Sequence, residues 1–170
     1  MRHGGVDLEG ADMAVRLSGI AAGVVFIFTA CATPAPLTLN DDLIVRAERI
    51  GDVELGMSLA NLLALKGTPR RTVPLQGTTA TSYEFDGLAV AAKDEVYWIS
   101  AQAPRFKTAN GIATGVEQIA ARAAAGPPIC VITKDEETTY DYRDFYFVVE
   151  NATAKVTEVG VRVDQGVCLT

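Results

Sequence analysis

Histidine occurs once in this chain, as His3, and tryptophan once, as Trp98. A lone histidine at the extreme amino-terminal end leaves the body of the protein without the base that Ser/His/Asp or Cys/His nucleophilic catalysis requires, and without the commonest zinc ligand. Basic residues are also scarce, 15 Lys and Arg against 21 Asp and Glu. No stripe of cations is available to follow a phosphate backbone, so nucleic acid is not an expected partner. Walker-type and dinucleotide-binding glycine patterns are missing, as is the ligand spacing of an EF-hand.

The longest apolar run, Leu17 to Phe28, is too short to cross about 30 Å of hydrocarbon. It follows a single basic residue, Arg16, and ends on Thr29 and Ala30 directly before Cys31. That order reads as an export signal over residues 1–31 in which Cys31 is the lipidated residue, with Phe28 where a lipobox has Leu, Val or Ile. An uncleaved membrane anchor, or ordinary cleavage with Cys31 unlipidated, are the alternatives. Asp7, Glu9 and Asp12 do not suit a positive leader, whereas MAVRLSG from Met13 does, which points to Met13 as the true start. Ala32 stands behind the cysteine in place of the Asp that marks inner-membrane retention in many enteric lipoproteins, and by that resemblance the periplasmic face of the outer membrane is favoured.

Removal of residues 1–31 leaves 13 basic against 18 acidic side chains, a net charge near −5. Membrane attachment would therefore come from acyl chains rather than from charge. With Cys31 used for lipid, Cys130 and Cys168 remain as an even pair in an oxidising compartment, and a Cys130–Cys168 disulfide is expected, two buried thiols being the alternative. Closing that loop would contribute about 4 kcal/mol on the chain-entropy account. Two thiols with no histidine do not make a metal site, and no metal or cofactor is expected. Residues 32–49, with Pro34 and Pro36, read as a tether.

The rest of the chain matches itself at an offset of 59 residues: Gly56, Gly67 and Pro69 fall on Gly115, Gly126 and Pro128, and Tyr83, Leu88 and Val90 on Tyr142, Phe147 and Val149. In residues 50–107, Ser58 can cap a short helix with Leu59, Leu62 and Leu63 on one face and Gly67 and Pro69 as its stop. In residues 108–170 the stripe is Val116, Ile119, Ala120 and Ala123, stopped by Gly126-Pro127-Pro128, although Glu117 stands where Ser58 caps the first. Alternating segments follow each helix: SYEF, LAVAA and VYWISA in the first half, and ICVIT, TYDYR, DFYFVVE and KVTEVGVRV in the second. The expected class is α+β, a tandem repeat of short helix plus antiparallel meander in two layers.

Leu55-Gly56-Met57-Ser58, the leucine-rich helix and Gly67-Thr68-Pro69, echoed by Thr114-Gly115-Val116 and Gly126-Pro127-Pro128, resemble the SmpA-like and β-lactamase-inhibitor-protein-like group over about residues 51–163. The resemblance implies helices on one side of antiparallel sheets and an action exerted by binding other proteins, with no catalytic residue to carry over.

Strand parity adds a surface expectation. With Tyr97, Ile99 and Ala101 facing the helices, Val96 and Trp98 face away, and with Phe147 and Val149 inward, Tyr146 and Val148 face outward. Val96, Trp98, Tyr146 and Val148 are thus the candidate partner-binding residues, because Trp and Tyr are favoured interface anchors. The competing reading is that they are covered. The function expected is a non-catalytic, lipid-anchored envelope protein that binds another envelope or secreted protein, in assembly or as an inhibitor. A small-ligand-binding lipoprotein with a cleft lined by Tyr97, Trp98 and Tyr142 is the alternative. A carboxylate enzyme built on Asp135, Glu136, Glu137, Asp141 and Asp144 is the weakest.

Overall fold

A computed structural model describes residues 41–163; the expected leader with Cys31, the expected tether up to residue 40 and Cys168 lie outside the described residues. The order of elements is β1 (Leu43–Val45), β2 (Arg49–Ile50), β3 (Val53–Glu54), α1 (Leu59–Lys66), β4 (Arg71–Pro74), β5 (Thr81–Glu84), β6 (Leu88–Ala92) and β7 (Val96–Ala101). Then come β8 (Lys107–Thr108), α2 (Gln118–Ala125), β9 (Cys130–Lys134), β10 (Glu137–Asp141), β11 (Phe145–Glu150) and β12 (Lys155–Arg162). A large antiparallel sheet has the order β4-β5-β6-β7-β12-β11-β10-β9, and a small sheet the order β3-β2-β1-β8.

The expected tandem of two-layer α+β units is overturned. The protein is mainly β, with one continuous eight-stranded sheet in place of two separate meanders. Its halves fuse where β7 meets β12, pairing Ile99 with Val161 and Ser100 with Gly160. The physical reason is edge satisfaction: a meander ending on β7 or β12 would leave a row of unpaired N–H and C=O groups on each, and joining them removes both edges. Each helix has eight residues and buries one side chain fully, Leu62 or Ala121, so the strands supply most of the core.

The core lies on one face of the large sheet. Leu88, Val90 and Ala92 of β6, Val96, Ile99 and Ala101 of β7, Val156, Val159 and Val161 of β12, and Phe145, Phe147 and Val149 of β11 form one buried cluster with Leu62, Ala121 and the small-sheet residues Ile44, Ile50 and Val53. Phe147 stacks on Tyr140 at 5.1 Å and on Tyr142 at 5.9 Å between ring centres. The tether expected up to residue 49 therefore ends earlier, because Ile44 and Ile50 are drawn into this core through a tight turn in which Ala47 is left-handed, φ 59°.

Both helix starts are held by the same backbone contacts. Gly56 N–H donates to Val96 C=O and Val96 N–H to Met57 C=O; Gly115 N–H donates to Val156 C=O and Val156 N–H to Val116 C=O. Ser58 Oγ accepts from Asn61 N–H at 3.2 Å, while Glu117 makes no side-chain capping bond. In the strands the register departs from a uniform offset of 59: Tyr83 pairs with Val90 as Tyr140, not Tyr142, pairs with Phe147. The β4–β5 connection spans residues 75–80 and the β9–β10 turn only 135–136, which moves the register without changing which face the aromatics occupy.

Candidate functional site

The face of the large sheet opposite the core carries the aromatic and charged groups of interest. Bulges decide which residues reach it. Ala91 pairs with Trp98 and Ala92 with Val96, so Tyr97 is an extra residue in β7; Val148 pairs with Glu158 and Val149 with Val156, so Thr157 is its counterpart in β12. Strict alternation across Tyr97 consequently gives the wrong parity. Val96, expected to face away, is buried in the core cluster with Ile99 and Ala101 and is 1% exposed, reaching the surface only at the border of the hollow beside Trp98. Tyr97, expected inward, is 36% exposed. Trp98 does face away and is partly exposed, as is Val148.

Tyr146 lies on the same face as Trp98 but is only 5% exposed. Its phenol is the centre of a polar chain: Trp98 Nε1–H donates to Tyr146 Oη at 2.8 Å, and Tyr146 O–H donates to Glu158 Oε1 at 2.5 Å. Beneath the ring is Gly160, the cross-strand partner of Tyr146, and above it the Arg162 guanidinium at 5.1 Å. Burial, reinforced by the Glu158 carboxylate, pushes the Tyr146 hydroxyl well above the usual tyrosine value.

Arg162 continues the network. Its Nη2 is 2.6 Å from Asp141 Oδ2, with side chains 9% and 1% exposed, and its Nε donates to Arg143 C=O at 3.0 Å. Asp141 Oδ1 accepts Arg143 N–H at 2.8 Å. Arg143 occupies the β10–β11 turn with φ 80°, a conformation disfavoured for a side chain bearing Cβ, and these bonds hold it there. Glu158, Gly160 and Arg162 went unrecognised in the sequence, although KVTEVGVRV places all three on the face away from Val159 and Val161.

Beside Trp98 the face opens into a shallow hollow of about 370 Å³ lined by Gly56, Glu95, Tyr97, Trp98, Arg162 and Val163. The expected small-ligand cleft of Tyr97, Trp98 and Tyr142 does not form, because Tyr142 belongs to the buried aromatic stack on the core side of the sheet. The carboxylates do not converge either: Asp141 is paired with Arg162, Asp144 lies 3.4 Å from Arg46, and Asp135 and Glu136 occupy the β9–β10 turn. Among the described residues no group of three His, Cys, Asp or Glu comes together to hold a metal ion. Cys130 opens β9 opposite Asp141, and its expected partner Cys168 is outside the described residues.

Fold and site together define a mainly-β protein whose long sheet presents an aromatic and guanidinium cluster on the face away from its core. No family model matches the chain, and no curated protein is similar to it in sequence. Among solved structures it is similar to an extracellular protein containing a SCP domain from Bacillus anthracis, at 13% identity over 65% of this chain and 44% of that one, with a TM-score of 0.48. It is also similar to a DUF4309 family protein from Bacillus subtilis, at 19% identity over 63% of this chain and 78% of that one, with a TM-score of 0.43. This chain thus spans less than half the length of the Bacillus anthracis protein. At these scores neither likeness bears on what this chain does.

Proposed function

We propose that this protein is a non-catalytic protein-binding module of the cell envelope, anchored through lipid on Cys31, and that its partner docks on the sheet face around Tyr97 and Trp98. The observation that carries the reading is the fixed position of Trp98: its indole N–H is tied to Tyr146, which is itself wedged between Gly160 and Arg162. A tryptophan held in one place before binding loses little freedom on docking, and Trp and Tyr truncations at interfaces commonly cost about 2 kcal/mol or more. The partner is another envelope or secreted protein. The likeness of Leu55-Gly56-Met57-Ser58 to a group that acts by binding proteins supports the same reading.

The Cys130–Cys168 disulfide belongs to this proposal. β12 ends at Arg162, at the same end of the sheet as Cys130, with β11 and β10 between. Three strand spacings amount to about 14 Å, and the six residues from Val163 to Cys168 reach up to about 20 Å.

Capture from detergent-solubilised membranes after brief crosslinking tests the binding reading. The native chain should recover a specific protein that a Tyr97→Ala, Trp98→Ala variant loses while still folded at the temperature of capture, its thermal midpoint lowered by the loss of the Trp98–Tyr146 bond. Equal recovery by both chains would remove the sheet face from consideration. Displacement of the captured protein by a small molecule seated in the 370 Å³ hollow would move the reading to a ligand-binding lipoprotein.

A further inference from the structure

The two edges of the large sheet are unlike. Among the described residues β4 and β9 are its outer strands. β4 carries Arg71 and Pro74, and the arginines at its start are in ion pairs, Arg70 with Asp86 and Arg71 with Glu84. Charge and proline of that kind blunt an edge against pairing with another strand. β9 has neither device in its interior: Cys130, Val131, Ile132 and Thr133 precede its only charge, Lys134. Apolar surface is concentrated beside it, with Ile119 of α2 81% exposed, Ile129 57% and Val131 48%.

Charge is distributed to match. At the Cys130 end a hollow of about 580 Å³ is lined by Arg122, Gly126, Pro127 and Pro128 together with Ile119. At the Lys134 end the turn into β10 is acidic, with Asp135, Glu136 and Glu137. An antiparallel pairing of β9 with itself about Val131 sets Val131 against Val131 and Ile129 against Thr133 of a second copy. Continued along the strand, it lays the second copy's Asp135 and Glu136 beside Pro127 and Gly126, which line the hollow holding Arg122. The two-fold repeats the contact on the other side. One end carries the single exposed guanidinium of Arg122, packed 5.3 Å over the Tyr140 ring, and the other carries Asp135, Glu136 and Glu137 beside Lys134, a net opposite charge that such an axis brings together.

We infer that β9 is a homodimerisation edge, through which two copies of this chain join their sheets into one of sixteen strands. This goes beyond the binding face proposed above, since β9 and Trp98 lie four strands apart. Under this axis only Cys130, Val131 and Ile132 of β9 face β9 of the other copy, short of a standard interface of about 1,600 Å², so the association is weak and concentration-dependent.

Sedimentation velocity of the full chain in detergent, over a range of concentrations, tests the inference. The expected result is a monomer–dimer equilibrium whose dissociation constant rises about tenfold for Arg122→Glu and likewise for Asp135→Lys with Glu136→Lys. Combining all three substitutions in one chain should restore the native constant, because each copy then offers the reversed pair to the other. Val131→Lys should abolish the dimer with the thermal midpoint unchanged. A chain that is monomeric at every concentration would overturn the inference. So would a dimer indifferent to both charge reversals, which would place the contact on another face.

Discussion

The ring of Tyr146 lies across Gly160 of the neighbouring strand so closely that a Cβ at position 160 would stand 2.1 Å from Tyr146 Cε1. In a strand, alanine ordinarily improves on glycine by roughly 0.5 to 1 kcal/mol through backbone entropy. Here the overlap outweighs that gain, because the ring cannot lift without losing Trp98 on one side and Glu158 on the other. Gly160→Ala should lower stability by about 2 kcal/mol, the range of an overpacked core. The same substitution introduced into Tyr146→Ala should be neutral or stabilising, and denaturant unfolding of the four chains measures the coupling directly.

Asp141 and Arg162 form a buried pair whose members depend on each other. Asp141→Asn leaves the guanidinium without a counter-charge at a site where Arg162 is nearly closed to solvent, and should cost about 3 to 5 kcal/mol. Arg162→Met, which takes the counter-charge from the carboxylate and leaves it the Arg143 N–H, should also be destabilising. The double substitution should cost clearly less than the sum, since burying neither charge is often close to neutral. Additivity in urea unfolding would show that the pair is not coupled.

The two helix starts differ by one hydrogen bond. Ser58 caps α1 through Asn61 N–H, whereas the side chain of Glu117 leaves the equivalent donor of α2 unanswered and reaches Lys155 only at 3.8 Å across exposed surface. An exposed ion pair of that kind is worth little. Ser58→Ala should therefore lower stability by about 1 kcal/mol and Glu117→Ser raise it by about 0.5 to 1 kcal/mol. Thermal unfolding followed by circular dichroism checks both signs.

Strand positions were legible where alternation was clean: LAVAA and VYWISA are β6 and β7, and DFYFVVE is β11 from its second residue on. What alternation could not reveal was the fusion of the two meanders at β7 and β12, a contact between segments some 60 residues apart that leaves no local trace. Parity failed at Tyr97 for a related reason. A bulge adds one residue without altering composition, so Val96 and Tyr97 exchange faces while the sequence still reads as an even strand. β1 and β2 were hidden by shortness, three and two residues around a left-handed Ala47. The aromatic half of the site was visible because Trp98 is unique in the chain. The pairing of Asp141 with Arg162 was not, since single charges in strands ordinarily face water and Asp141 read as one of a group of acidic residues.

Tyr146 also sets how the protein meets alkaline solution. Its hydroxyl is held protonated by burial and by the adjacent Glu158 carboxylate, whereas in the unfolded chain it titrates near pH 10. A folded-state value raised above the unfolded one contributes stability that is complete below about pH 10 and is lost as pH rises through the raised value. The native protein should therefore keep Tyr146 silent in an absorbance titration at 295 nm until unfolding releases it, beyond the delay that burial also gives Tyr97 and Tyr142. Tyr146→Phe should remove that last step while leaving the earlier ones, and should shift the alkaline unfolding transition to higher pH relative to its own stability at pH 7. A native chain in which every tyrosine ionises together near pH 10 would mean that the Trp98–Tyr146–Glu158 chain is open to solvent.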